Sequence, residues 1–510
     1  MSPAPLAVEA PGGPGDWVVT PEGVAALAEV PAAGRPAALD RLVEQEIAGR
    51  RVEPTPPRVA ELLAAFGFGW EPLTEPGHMR AFGHAALMLG QAKRHAAAEA
   101  GAALDALGLP RITLDGVRLV DADHPRMRAY TELTRGDGEV DLYGDEPYRI
   151  DGGSWVLRQT ACFQKYALLT ERTLADRALP VALFEISDSF RREPAEALRL
   201  AFRQRRFHLP EAHLHTADVA GAAELALPLH RRVLRVLGEL DAKLVLLVNA
   251  THEFAAARPG FFTELVARAD APALVRIGAP GALCMDGVEV DVEYKVVDAL
   301  GCPRELSTWQ IDHRITASFG LRGDEGGRPA TVHTVLTGGV ERYVFLALDR
   351  IARREAAGER PRLPLWLTPV VARVVPADAA ALGAAGGLAD RLAAAGVRTE
   401  LDDRDQPLAR ALAEADALLV PHVLRVGADG SVELRSRPHE TFRACPPDAA
   451  LAQLAAEVRR EALPPPDRTA PRLTRHPLGR PGDRRENWGE HQRDEQRDDQ
   501  QKGTRHGEPA

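Results

Sequence analysis

The chain has 510 residues, 45% hydrophobic and 27% charged, enough for two or three domains with cores of their own. A formal charge of −10 excludes a wholly basic nucleic-acid binder but leaves room for a local basic groove. Four scattered cysteines (Cys162, Cys284, Cys302, Cys445) without a CxxC argue against a secreted disulfide scaffold, and no apolar run reaches the ~18 residues of a membrane span.

The opening MSPAPLAVEAPGGPG lacks the basic and apolar regions of a signal peptide, so a cytoplasmic location is expected, and its Pro and Gly predict disorder over the first fifteen residues. Trp17 to about Val52 carries one or two short helical patterns, which Pro54, Pro56 and Pro57 break. The Ala-rich stretch Met79–Leu107 ends at Gly108 and Pro110 and predicts a long helix for packing or a subunit face. Val181–Ile186 and Phe202–Thr216 read as strands around an Arg-rich loop. Ala222–Leu240 reads as a helix with Pro228 marking its start, and Lys243–Val248 as a buried strand. Val288–Leu300 alternates with period two, and Glu305–Ile311 returns beside it. Thr331–Leu336 is another strand, and Gly338-Gly339 opens a helix over Val340–Arg354. Hairpin-joined strands with helices elsewhere indicate an α+β domain around an antiparallel sheet.

Beyond Pro361 the pattern changes. Strands at Ala372–Val375, Arg398–Leu401 and Ala417–Val420 alternate with helices at Ala379–Ala395 and Leu408–Ala415, as in a parallel α/β sheet. From Leu463 the chain is charged and nearly free of apolar residues, which predicts a solvated extension.

Arg191, Arg192, Glu193, Arg203, Arg205 and Arg206 form the densest charged group, followed by Glu211, His213 and His215. On two antiparallel strands, period two would set some of these guanidinium forks on one face, where they suit phosphate oxygens. Composition alone favours a solvated basic loop over that site. Cys162, His213 and His333 are soft-metal donors, but they lie far apart in sequence and their spacing supports no site by itself. The glycine pair before Val340 suits an anion at a helix start, or a plain turn.

Taken together, these segments resemble the class II aminoacyl-tRNA synthetases, specifically the archaeal-type threonyl-tRNA synthetases. The resemblance runs from about Pro56 to Leu463. It rests on LRQTACFQKYALL for the strand of a zinc cysteine and on FEISDSFRREPAEALRLAFRQRRFHLPEAH for motif 2. VEVDVEYKVVDALG and PRELSTWQID match a substrate-side hairpin, and TVHTVLTGGVERYVFLALDRI matches motif 3. LPLWLTPVVARVVP and VRTELDDRDQPLARAL match an anticodon-binding domain. The resemblance implies an N-terminal extension over 1–55, a catalytic domain over 56–360, an anticodon-binding-like α/β domain over 363–462 and a tail over 463–510.

It also implies roles. Arg191 would hold the ATP α-phosphate, Glu193 the adenine amino group, and Phe207 would stack on adenine. Arg203 and Arg342 would meet the γ-phosphate side, Arg191 and Arg342 being the catalytic pair. Glu305, Thr308 and Gln310 would face the ribose and the amino acid, while Cys162, His213 and His333 would ligate one Zn²⁺ per subunit, with Mg²⁺ accompanying ATP. Threonine and its tRNA would be the partners of a homodimer, with no membrane or DNA involved.

Several positions depart from the family pattern. Glu211 stands where the family carries Asp against the threonine hydroxyl, and its extra methylene moves the carboxylate by about an ångström. Asp115 falls near the expected motif 1 proline, at the dimer interface. The resemblance leaves about fifty residues ahead of the catalytic match, so no editing in cis is expected. A shortened hairpin, GADGSVELRSR, places Arg435 as the candidate anticodon contact. These departures keep two alternatives open: a paralogue that activates an amino acid for a non-tRNA acceptor, or a non-catalytic tRNA-binding regulator.

Overall fold

The computed structural model describes residues 11, 13–49, 53–135, 147–150, 152–171, 179–283, 287–321, 329–437, 439 and 441–463. Most of the opening fifteen residues, Cys284 and the tail beyond 463 therefore lie outside the described residues. No described helix is long and apolar enough to cross a membrane.

Ten strands make one large sheet. In chain order they are β1 (Gly15–Thr20), β2 (Gly23–Ala26), β3 (Arg111–Thr113), β4 (Val181–Phe190), β5 (Arg206–Thr216), β6 (Leu244–Thr251), β7 (Ala273–Gly278), β8 (Val288–Val297), β9 (Pro303–Asp312) and β10 (Ala330–Val335). In space they run β2-β1-β7-β6-β8-β9-β10-β5-β4-β3. Pairing is antiparallel except between β6 and β7 and between β3 and β4.

Period-two alternation decides which face meets which layer. On β6, Leu246, Val248 and Ala250 belong to the main core, whereas Val245 and Leu247 face Leu39, Leu42 and Val43 of helix α1 (Ala37–Glu46). The main core lies under three long helices, α2 (His84–Ala106), α3 (Val219–Gly238) and α4 (Val340–Ala356). Helix α4 buries Val344, Phe345, Leu346, Leu348 and Ile351 there, each such side chain contributing about 1.5–3 kcal/mol. With that face apolar, the other face of β8, β9, β10, β5 and β4 is free to carry the polar side chains of the site.

Several expectations from sequence shift. Within Trp17–Val52, read as one or two short helical patterns, Ala37–Glu46 is helical, whereas Trp17–Ala26 lies in the hairpin of β1 and β2 at the margin of the large sheet. The long helix starts at His84, not Met79. Met79–Ala81 pairs with Phe68–Trp70, and Gly83, at φ +55°, turns the chain into the helix. Pro228 sits inside α3, which begins at Val219 behind an Asp218 cap that accepts from Gly221 N at 2.7 Å. Cys162 is the first residue of a helix, Cys162–Glu171, not part of a strand.

The C-terminal unit is a five-stranded sheet, ordered Thr399–Leu401, Ala372–Pro376, His422–Val426, Val432–Ser436, Arg443–Ala444. Its first three strands are parallel and the last two antiparallel, so the sheet is mixed where sequence suggested parallel. The expected strand Ala417–Val420 is instead a helix end and a turn, with Leu419 at φ +53°; the strand begins at His422.

Candidate active site

Strands β4 and β5 run antiparallel with Leu183 opposite His213 and Glu185 opposite Glu211, and the loop between them carries Arg191 to Arg205. Next to β5, β10 sets His333 opposite His213, and β9 sets Gln310 opposite His333. Residues far apart in sequence thus meet because four neighbouring strands hold them in register.

A cavity of about 400 Å³ opens on this face. Arg191, Glu193, Arg203, Phe207, Glu211, Glu305, Thr308, Gln310, Arg342, Cys162 and His333 all line it. His213 is buried behind its wall. Arg435 lies in the C-terminal unit, away from the cavity. It is nearly buried, its Nη2 is 3.0 Å from Asp416 Oδ1, and its guanidinium stands over the Phe442 ring.

One end of the cavity is lined by arginines. The Arg191 guanidinium rests over the Phe207 ring, 5.1 Å from its centroid, and Arg203 Nε is 2.7 Å from Glu193 Oε2. Arg342 donates from Nε to the Phe202 carbonyl at 3.0 Å, and its Nη1 lies 3.0 Å from Glu305 Oε2. Gly338 makes this placement possible. It has φ +75°, and a Cβ there would collide with the Leu306 carbonyl oxygen and side chain. Glu341, which sequence reasoning missed, accepts from His208 N at 3.0 Å and approaches His208 Nδ1 at 2.6 Å, tying α4 to β5.

At the floor lie Asp291 and Glu293, also missed. Burial, together with the neighbouring Glu305, raises both carboxyls above their usual range. Glu305 is held low despite burial by Arg342 and Lys295. The alternation in VEVDVEYKVV marks these acids as one face of a strand, but only the fold shows that they line the cavity.

The other end carries the metal-ligand types. The ligand atoms of Cys162, His213 and His333 lie within 4.8 Å of one another. His333 Nδ1 is 3.7 Å from Cys162 Sγ, and its Nε2 is 3.2 Å from Asp312 Oδ2 and 3.0 Å from Tyr166 Oη. Burial opposes charge on this ring, but Asp312 and Cys162 outweigh it and push His333 up to about 10. Positive charge is therefore favoured at that spot. Burial, with Lys165 nearby, instead holds His213 well below its ordinary value. Neither ring nitrogen of His213 has a hydrogen-bond partner, although both are buried. A neutral imidazole with orphaned nitrogens, beside a cysteine sulfur and a carboxylate-backed histidine, is the donor set of a zinc-type cation. The residues fit the metal.

Behind them runs a buried ionic chain that sequence showed only as isolated charges. Arg158 Nη1 is 2.8 Å from Glu185 Oε1, Lys165 Nζ is 3.3 Å from Glu185 Oε2, and Lys165 Nζ is 3.6 Å from Glu211 Oε1. Ser187 Oγ donates to Glu211 Oε1 at 2.6 Å.

Comparison with known proteins agrees with this geometry. Residues 370–458 match the anticodon binding domain family. The chain is 34% identical over 428 residues to the threonine–tRNA ligase of Pyrobaculum neutrophilum, covering 82% of this chain and 68% of that protein. It is 30% identical over 467 residues to that of Hyperthermus butylicus, covering 89% and 72%. Among solved structures, the RNA binding domain of threonyl-tRNA synthetase from Cryptosporidium parvum Iowa II superposes with a TM-score of 0.63 at 18% identity. That match covers 79% of this chain and 98% of that one, a likeness of fold.

Proposed function

From membership of the threonine–tRNA ligase family, to which this chain belongs, we propose that it activates threonine with ATP and transfers it to the 3′ end of its tRNA. The observation that carries this reading is one cavity with an arginine-lined end and a Cys–His–His end. Such a cavity brings a triphosphate and an amino acid side by side. Arg191 and Arg342 would neutralise charge as the threonine carboxylate attacks the α-phosphorus, with Arg203 on the departing pyrophosphate and Mg²⁺ accompanying the nucleotide. Glu193 and Phe207 would seat adenine, and Glu305, Thr308 and Gln310 the ribose and the amino acid. Glu193 and Glu305, now paired with Arg203 and Arg342, would release those cations to phosphate on binding.

Cys162, His213 and His333 would hold zinc. When bound, it offers coordination that a hydroxyl side chain can complete and an isosteric methyl cannot, a sharper discrimination than fit alone. Residues 56–360 would be the catalytic unit of a homodimer and 363–462 the anticodon reader, with Arg435 a candidate contact once released from Asp416.

Pyrophosphate exchange over a panel of amino acids, then charging of threonine tRNA, tests the reading. Threonine-dependent exchange with charging is expected. Exchange without charging selects the non-tRNA acceptor, and no exchange with any amino acid selects the non-catalytic paralogue.

A further inference from the structure

The two oxygens of Glu211 have different surroundings. Oε1 is pinned by Ser187 Oγ at 2.6 Å and faces Lys165 Nζ at 3.6 Å. Oε2 lies 3.9 Å from Cys162 Sγ and 4.0 Å from His213 Nε2. In a tetrahedral zinc centre with bond lengths of about 2.0–2.3 Å, two ligand atoms stand about 3.4–3.6 Å apart. Relative to these two atoms Oε2 is a few tenths of an ångström from a ligand's position, but it is not among the atoms that lie within 4.8 Å of one another, so ligation needs the carboxylate to shift towards His333.

Resting on the zinc reading above, we infer that Glu211 Oε2 is a fourth, displaceable protein ligand that closes the Cys162–His213–His333 centre until an amino acid enters. Charge permits this assignment. Arg158 and Lys165 balance Glu185 and Glu211, while a dication is balanced by the Cys162 thiolate and Asp312. The hydrogen bond from Ser187 and the buried Lys165 already orient the carboxylate, so ligation costs little side-chain freedom. On substrate entry the metal–Oε2 bond breaks as a bond to the amino acid forms, and the freed carboxylate keeps Lys165 and Ser187 as partners. Reach is decisive: an aspartate at 211, one methylene shorter, falls about an ångström short and leaves the position open.

The test uses the full chain, stripped of metal and reloaded with Co²⁺, beside Glu211→Gln and Glu211→Asp. Visible absorption reads the coordination, and chelator competition reads the affinity. The expected result is a four-coordinate Co²⁺ spectrum in the parent that changes when threonine is added without ATP. Both variants should hold Co²⁺ and Zn²⁺ at least about tenfold more weakly, with the threonine-free spectrum altered. Glu211→Asp keeps the charge beside Lys165 and so carries the test if Glu211→Gln fails to fold. Parental affinity and spectrum in the variants, with metal lost in Cys162→Ala, overturn this inference alone. A parent chain that takes up no metal overturns it together with the zinc reading.

Discussion

Asp312 and His333 meet diagonally across adjoining strands, with Asp312 Oδ2 3.2 Å from His333 Nε2 and His333 Nδ1 turned to Cys162. Tyr166 donates to the same carboxylate oxygen at 3.0 Å, so Asp312 is fixed and in turn fixes the ring. A carboxylate behind a ligating imidazole orients it and raises its basicity. Asp312→Asn is expected to weaken zinc binding about 10- to 100-fold while keeping the fold. Competition with a chromogenic chelator measures this; unchanged affinity would show that Asp312 only supports the helix start at Ile315, whose N–H it also accepts at 2.9 Å.

Arg342 stands on the first turn of α4, its position set by Gly338 and by the Phe202 carbonyl. A preorganised cation aimed at developing phosphate charge contributes several kcal/mol to the transition state. Arg342→Ala is expected to lower pyrophosphate exchange by about 10²–10³-fold at saturating threonine. Arg342→Lys should recover only part of that loss, because a point charge cannot reproduce two donor directions. Retained exchange in the alanine variant would move the catalytic weight to Arg191 and Arg203.

How much of this was legible in sequence depended on range. The period of VEVDVEYKVV and the hairpin to PRELSTWQID are local, and both strands appear within a few residues of expectation. The family motifs placed Arg191, Glu193, Arg203, Phe207, Glu305, Thr308 and Arg342 in one cavity. The hairpin of β1 and β2 was missed because it joins the large sheet only through β1, whose other neighbour lies some 250 residues away: Trp17 pairs with Val275. The apolar run at Ala417–Val420 misled because a helix end packs as well as a strand does. Lys165, Glu185 and Arg158 carry no sequence signal, since an ionic chain is defined by what covers it. Arg435 was legible as a strand residue, but not as one tied to Asp416.

That tie gives a further test. Asp416 faces Arg435 at 3.0 Å and also Arg437 and Arg360, each at 3.3 Å. Arg435 and Arg437 are nearly buried, while Asp416 is one-third exposed. Removing the shared carboxylate leaves buried cations without their partner, although exposure at Asp416 softens the cost. Asp416→Ala is expected to destabilise the C-terminal unit by about 1–3 kcal/mol. Denaturant unfolding would show it, and pyrophosphate exchange should persist at temperatures where the unit stays folded. An unchanged midpoint would mean that Arg435 is free to serve as a nucleic-acid contact from the outset.

Acid should act through motif 2. Asp188 on β4 is nearly buried, with Arg206 Nη2 at 2.9 Å and Arg118 Nε at 3.2 Å from its Oδ2. Burial alone would raise its carboxyl, but these two arginines outweigh that and bring it from 3.8 down to about 2. A carboxyl more acidic in the folded chain than in the unfolded one stabilises the fold fully above its unfolded value. That stabilisation is lost as pH falls from about 4 towards 2. Both arginines are about half exposed, so solvent screening reduces the contribution to about 1 kcal/mol. Asp188→Asn should therefore lower stability at neutral pH by about that amount and flatten the loss between pH 4 and pH 2. Unfolding midpoints of parent and variant across that range measure it, and parallel curves at every pH would remove Asp188 from the acid response.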